Sequence, residues 1–186
     1  MKTSVSQWCA VAAVLAGIGL FACSSGPTGP SPDESVIPLQ IGNAWSYSYS
    51  DTTGQYRQDI RVIDLSQGRY TLQYIDYFRD GDLGWNSGGY YRAWNESDGY
   101  YDGEALKFKY PVETGDEYMR DGNTVAVKSV EDSVTVPAGD FQCIRYHFNN
   151  ATYWVAPGIG LVKQKWGTIS TKELLEYYVQ SHRSDI

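Results

Sequence analysis

Residues 45–50 read WSYSYS, which sets Trp45, Tyr47 and Tyr49 on one side of an extended chain and Ser46, Ser48 and Ser50 on the other. A half-buried β-strand requires this alternation, because successive side chains leave opposite faces of a sheet. Related patterns recur in YRQDIRVIDL (56–65), RYTLQYIDYF (69–78), GYYRAW (89–94), TVAVKSV (124–130), SVTVP (133–137), FQCIRYHF (141–148), TYWVA (152–156) and LVKQKW (161–166). Between them lie Ser66-Gln67-Gly68, Asp80-Gly81-Asp82, Ser97-Asp98-Gly99 and Pro137-Ala138-Gly139-Asp140. Such residues supply the positive or preset φ of tight turns. Short strands at even spacing predict an all-β, antiparallel meander, as a sandwich or a barrel. In TKELLEYYVQ (171–180) helical and strand periods compete, and the alternation of Leu175, Tyr177 and Val179 predicts a closing strand.

A shorter pattern occurs twice. Pro38-Leu39-Gln40-Ile41-Gly42-Asn43-Ala44-Trp45 and Pro111-Val112-Glu113-Thr114-Gly115-Asp116-Glu117-Tyr118 align proline, aliphatic, glycine, Asn or Asp, and aromatic in register. Each glycine can adopt positive φ in a turn, after which the aromatic starts a strand and packs inward. The echo predicts two similar β halves within one domain.

The first 22 residues belong to no fold. Lys2 precedes an apolar run from Trp8 to Leu20, WCAVAAVLAGIGL, and small residues follow. A basic start, a short apolar stretch and a small-residue cleavage point mark a secretory signal, and the run falls short of the ~20 residues that span a bilayer. Residues 20–23, LFAC, resemble the lipobox of bacterial lipoproteins, with Phe21 departing from the usual small residue. That resemblance implies a diacylglyceryl group on Cys23, so that acyl chains hold the protein on the membrane. Ser24, where an Asp would signal retention, implies the outer membrane. Residues 23–36 then form a Ser-, Pro- and Gly-rich tether, too poor in apolar side chains to fold, and residues 37–186 form a single β domain.

Without residues 1–22 the chain keeps 14 of its 15 Lys and Arg against 22 Asp and Glu, a net charge of −8. Nucleic acid is thereby excluded as a partner, since its binding rests on phosphate neutralisation. Of three cysteines, Cys9 leaves with the signal and Cys23 is acylated, so Cys143 has no partner for a disulfide and reads as a small strand residue.

PLQIGNAWSYSY, YPVETGDEY, VTVPAGDFQCIRY and YWVAPGIGLVKQK, in that order, are together similar to an uncharacterised family of bacterial envelope lipoproteins. That family is related in fold to the LolA, LolB and LppX group. The resemblance covers nearly all of the chain from Ile37 and implies a strongly curved antiparallel sheet, an incomplete or half β-barrel. In carriers of that group the concave face holds acyl chains beneath helices; here no lid helix is visible. Trp45, Tyr47, Tyr49, Tyr70 and Tyr74 are the candidates to line such a face, and they serve equally as ordinary core.

Catalytic chemistry is hard to place. There is no G-x-S-x-G elbow, and the two histidines, His147 and His182, form no metal-ligand pattern. DGDLGWNSGG (80–89) begins like a calcium loop, but Trp85 and Tyr91 stand where glycine and glutamate are needed. NESDGYYDGE (95–104) reads as a solvated acidic hairpin. Trp85, Tyr90, Tyr91 and Trp94 are candidates for a surface aromatic platform that could stack on sugars or a partner protein. The expectation is a lipid-anchored, non-enzymatic binding or assembly domain of the cell envelope, without cofactor or metal. A hydrophobic ligand or an envelope protein is its expected partner. The alternatives are an acyl-chain or lipoprotein carrier and a glycan-binding or glycan-processing protein, the last requiring paired carboxylates in a cleft.

Overall fold

The computed structural model describes residues 35–78 and 88–180. In chain order the strands are β1 (Ala44–Asp51), β2 (Gly54–Ser66), β3 (Arg69–Phe78), β4 (Tyr90–Glu96), β5 (Gly99–Asp102), β6 (Ala105–Lys109), β7 (Glu117–Arg120), β8 (Asn123–Val136), β9 (Gly139–Phe148), β10 (Ala151–Ala156), β11 (Gly160–Trp166) and β12 (Ser170–Tyr178). All belong to one antiparallel sheet ordered β6-β5-β4-β3-β2-β1-β12-β11-β10-β9-β8-β7. Every strand pairs with its neighbour in sequence except at one place. β6 and β7 form no ladder, and β12 pairs with β1 instead. The all-β incomplete barrel expected from the sequence is therefore present, curled nearly shut with one unsealed seam.

The repeated motif explains this arrangement. Gly42 and Gly115 take φ of 96° and 97°. Gly42 N–H donates to the Val62 carbonyl and Gly115 N–H to that of Val127, each at 2.9 Å. Within each turn Asn43 N–H donates to the Gln40 carbonyl and Asp116 N–H to that of Glu113. The two copies introduce β1 and β7, so β1–β6 and β7–β12 are two similar halves of six strands each. In such a pair the β12–β1 and β6–β7 junctions are equivalent positions. One is zipped by a ladder and the other is not.

What holds the second junction is two phenols. Tyr118 on β7 donates its hydroxyl to the Lys107 carbonyl at 2.7 Å, and Tyr146 on β9 donates to the Lys109 carbonyl at 2.7 Å. Both acceptors lie on the free edge of β6. Edge carbonyls that lack a strand are thus satisfied by side chains, which also blunts an edge that could pair with another chain.

The inward face is apolar and aromatic, with Tyr146, Phe108, Ile144, Leu174 and a group of valines fully buried. Phe108 contacts both Tyr146 and Tyr153, with ring centroids 5.2 and 5.5 Å apart, which joins the two halves across the interior. The segment before β1 plugs one end. Val36 is 1% exposed, the Ser35 carbonyl accepts from Gly158 N–H, and the Ile37 carbonyl accepts from Asn95. Packing thus includes Val36, one residue before the expected domain start.

Three details differ from the sequence reading. TVAVKSV and SVTVP are one strand, β8, which bends at register shifts between Val127 and Ser129 and between Ser129 and Asp132. β5, β6 and β7 have four or five residues each, too few for alternation to show. The closing strand expected at 171–180 is β12, but its parity differs from that expected. Ser46 faces Glu176 and Tyr47 faces Leu174, so Leu175 is skipped; Lys172 and Leu174 are buried while Tyr177 is exposed.

Replacing Tyr118 and Tyr146 together by Phe should destabilise the domain by about 1–3 kcal/mol. It should also accelerate amide exchange in β6 more than in β1 or β12, as hydrogen–deuterium exchange would show. Uniform acceleration across the sheet would contradict a locally held seam.

Candidate functional site

Strand pairing brings polar groups onto the apolar face at one level of the barrel. Tyr47 on β1 is opposite Gln58 on β2, which is opposite Asp76 on β3. On the other side of β1, Tyr49 is opposite Lys172 on β12, and Lys172 is opposite Gln164 on β11. Directly opposed residues share a face of the sheet. Gln58, Asp76, Gln164 and Lys172 therefore point inward with Tyr47. From the free edge of the sheet, Lys107 on β6 pairs with Asp102 on β5 at 2.6 Å.

Of these groups Tyr47, Gln164, Lys107 and Lys172 line a cavity of about 100 Å³, together with Trp45, Tyr74 and Tyr100. Lys172 is 8% exposed; its ammonium lies 4.2 Å from the centre of the Tyr47 ring and donates to Gln58 Oε1. Gln58 in turn donates through Nε2 to Asp76 Oδ1 at 2.7 Å, so the carboxylate reaches the lysine at one remove. Burial pulls the Lys172 pKa down to about 7, with the Lys107 charge acting in the same direction and Asp76 against it. Burial also raises the phenol pKa values of Tyr47 and Tyr100 well above their ordinary range. At the apolar end, Trp45 Nε1 donates to the Ile159 carbonyl at 2.6 Å, and the Tyr47 hydroxyl donates to the Leu161 carbonyl at 3.0 Å.

Trp45, Tyr47 and Tyr74, three of the residues expected on the concave face, line this cavity. Tyr70 packs against the core, and Tyr49 stacks on Tyr56 at 4.5 Å on the Lys172 side. Of the residues expected in an aromatic platform, Tyr90 and Trp94 leave one face of β4 and Tyr91 the other. Tyr90 and Tyr91 are 67% and 50% exposed, yet Tyr91 packs edge-on against Tyr74. Trp94 stacks on Tyr101 at 5.1 Å with the Arg69 guanidinium 4.2 Å from its ring, a cross-strand column on the outer face. Trp85 lies outside the described residues, as does Cys23.

Other reactive groups are occupied. Cys143 is buried, and desolvation pushes its thiol up to about 12, which removes the nucleophilic thiolate. His147 shares a hydrogen bond with Thr152. In the acidic hairpin, Glu96 accepts from Trp94, Asp98 from Tyr101, Asp102 from Lys107 and Glu104 from Arg69. Its carboxylates are spent on separate protein donors, as a structural hairpin requires.

Lys172, Gln58, Gln164 and Asp76 did not emerge from the sequence as site residues. Each sits in the apolar phase of its strand: Gln58 with Ile60 and Val62, Asp76 with Leu72 and Tyr74, Gln164 with Val162, Lys172 with Leu174. A polar residue in the buried phase is the signal that could have found them.

Comparison with protein-family models finds no match, and comparison with curated proteins finds none either. Among solved structures, a "putative lipoprotein" from Parabacteroides distasonis ATCC 8503 aligns at 15% identity over 78% of this chain and 99% of that one, with a TM-score of 0.49. The relation to the LolA, LolB and LppX group accordingly rests on the sequence motifs alone.

Lys172 gives stability a definite pH dependence. Between its folded value of about 7 and the ordinary lysine value near ~10.4, the unfolded chain binds a proton that the folded chain does not. Stability should therefore rise from pH 6 to 9, by on the order of a few kcal/mol. Above about pH 10 it should fall again, because unfolded tyrosines ionise while buried ones do not. Urea unfolding at several pH values measures this, and Lys172→Met should abolish the rise. A flat profile in the unsubstituted protein would contradict the buried ammonium.

Proposed function

We propose that this chain is a lipid-anchored lipoprotein of the bacterial cell envelope, whose barrel is a non-enzymatic binding domain with its polar chamber directed away from the membrane. The observation that carries this reading is where the chain enters the barrel. Residues 35–39 plug the end at which β1 begins. Lys172 is opposite Tyr49, near the far end of β1, beside the turns Asp51–Gly54 and Trp166–Ser170. A lipid on Cys23 would thus tether the closed end.

The interior favours a small polar ligand over an acyl chain. Ligand pockets for larger molecules occupy ~300–1,000 Å³, and the concave face here is mostly filled by aromatic rings, leaving about 100 Å³. Glycan hydrolysis would call on paired carboxylates. Asp76 and Asp102, which point inward, are engaged by Gln58 and Lys107.

The anchor is tested by labelled palmitate in the native host. The unsubstituted protein should incorporate label and Cys23→Ser should incorporate none. Equal incorporation by both would overturn the assignment of Cys23.

A further inference from the structure

We propose that the chamber is a binding site for a small monocarboxylate, on the order of two to four carbons, held by Lys172 with Tyr74, Tyr100 and Gln164. The inference rests on the binding-domain reading above and names its ligand class. It follows from three features of the cavity: which polar groups lack partners, how the charges are matched, and how much room there is.

Tyr100 is 2% exposed and Gln164 6% exposed, and both line the cavity. Neither the Tyr100 hydroxyl nor the Gln164 amide makes a hydrogen bond to protein among the described residues, and the same holds for the Tyr74 hydroxyl; all three residues line the cavity, and none of these atoms is sealed in the wall. Polar groups that open onto a cavity take their hydrogen bonds from what occupies it. Two phenols and an amide facing one small space suit a molecule rich in acceptors.

Charge narrows the choice to an anion with one charge. The two cations on the lining are Lys107 and Lys172. Lys107 is matched directly by Asp102 at 2.6 Å. Lys172 contacts no carboxylate among the described residues, and the nearest, Asp76, is separated from it by Gln58. A carboxylate can accept from the ammonium and from the phenols at once, using its several lone-pair sites.

Volume and surface set the remainder of the ligand. A cavity of 150 Å³ holds a benzene molecule, and this one is about 100 Å³. The lining also includes Trp45, Leu72 and Phe108. A short apolar tail fits them, whereas a second carboxylate would be placed against rings without a counter-charge.

The test uses the mature lipoprotein in lipid nanodiscs, titrated with acetate, propanoate and butanoate, and with propanamide as the neutral analogue of matched shape. Binding is read by ligand-observed NMR and by tryptophan fluorescence, since Trp45 lines the site. The expected result is saturable propanoate binding, with no binding of propanamide. Lys172→Met should weaken it on the order of 100-fold, and Tyr100→Phe, which keeps the ring, roughly ten-fold. Binding of propanamide equal to that of propanoate, or propanoate binding unaffected by both variants, would overturn the assignment. If no carboxylate binds, native mass spectrometry of protein taken from the envelope separates two failures. A different small adduct would remove this inference alone, and a bare mass would remove the binding-domain reading with it.

Discussion

The ladder between β1 and β12 is the contact on which the rest of the molecule depends. It joins the first and last strands, more than a hundred residues apart, from Ala44 opposite Tyr178 to Ser50 opposite Thr171. On the outer face, Arg57 on β2 reaches across β1 to Glu176 on β12 at 2.6 Å and also binds Ser46 and Asp59. On the inner face the same pairing sets Lys172 over the ring of Tyr47. Without this ladder there would be a meander with two free ends and no enclosed space. Its cost is entropic, because a long chain must be closed before any of its contacts form, and this is why the buried aromatic core has to be large.

The interior divides by chemistry along the barrel axis. Toward the plug, hydrogen bonds from Trp45 and Tyr47 end on backbone carbonyls of the Ile159–Leu161 segment, and these groups are satisfied without charge. Toward the other end, lysine, carboxylate and amide groups replace them. Burying an ammonium is expensive, and here its direct contacts are a neutral amide and the face of a ring, with the Asp76 charge acting through Gln58. A domain that needed only a core would do better with methionine at position 172.

Much of the fold was legible in the sequence, because period-two alternation is a direct consequence of strand geometry. Tyr47 and Trp45 face inward, as the WSYSYS pattern requires, and Gly42 and Gly115 mark the starts of the two halves. Other features are invisible at this level. β5 to β7 are shorter than the window in which alternation can be recognised. In KELLEYYV both parities are apolar, and the skipped Leu175 alone decides that Lys172 points inward. Trp94 and Tyr91 are three residues apart and leave opposite faces of β4, so nearness in sequence does not put these two on one surface.

Closing the sheet through β1 and β12 buries the Lys172 ammonium inside the barrel. Heteronuclear NMR of the Lys172 side chain, following its Cε and Nζ shifts with pH, tests this most directly. The structure predicts a titration midpoint of about 7. A midpoint near ~10.4, that of a lysine in water, would mean that the side chain lies in solvent and that the register of β12 is not the one described.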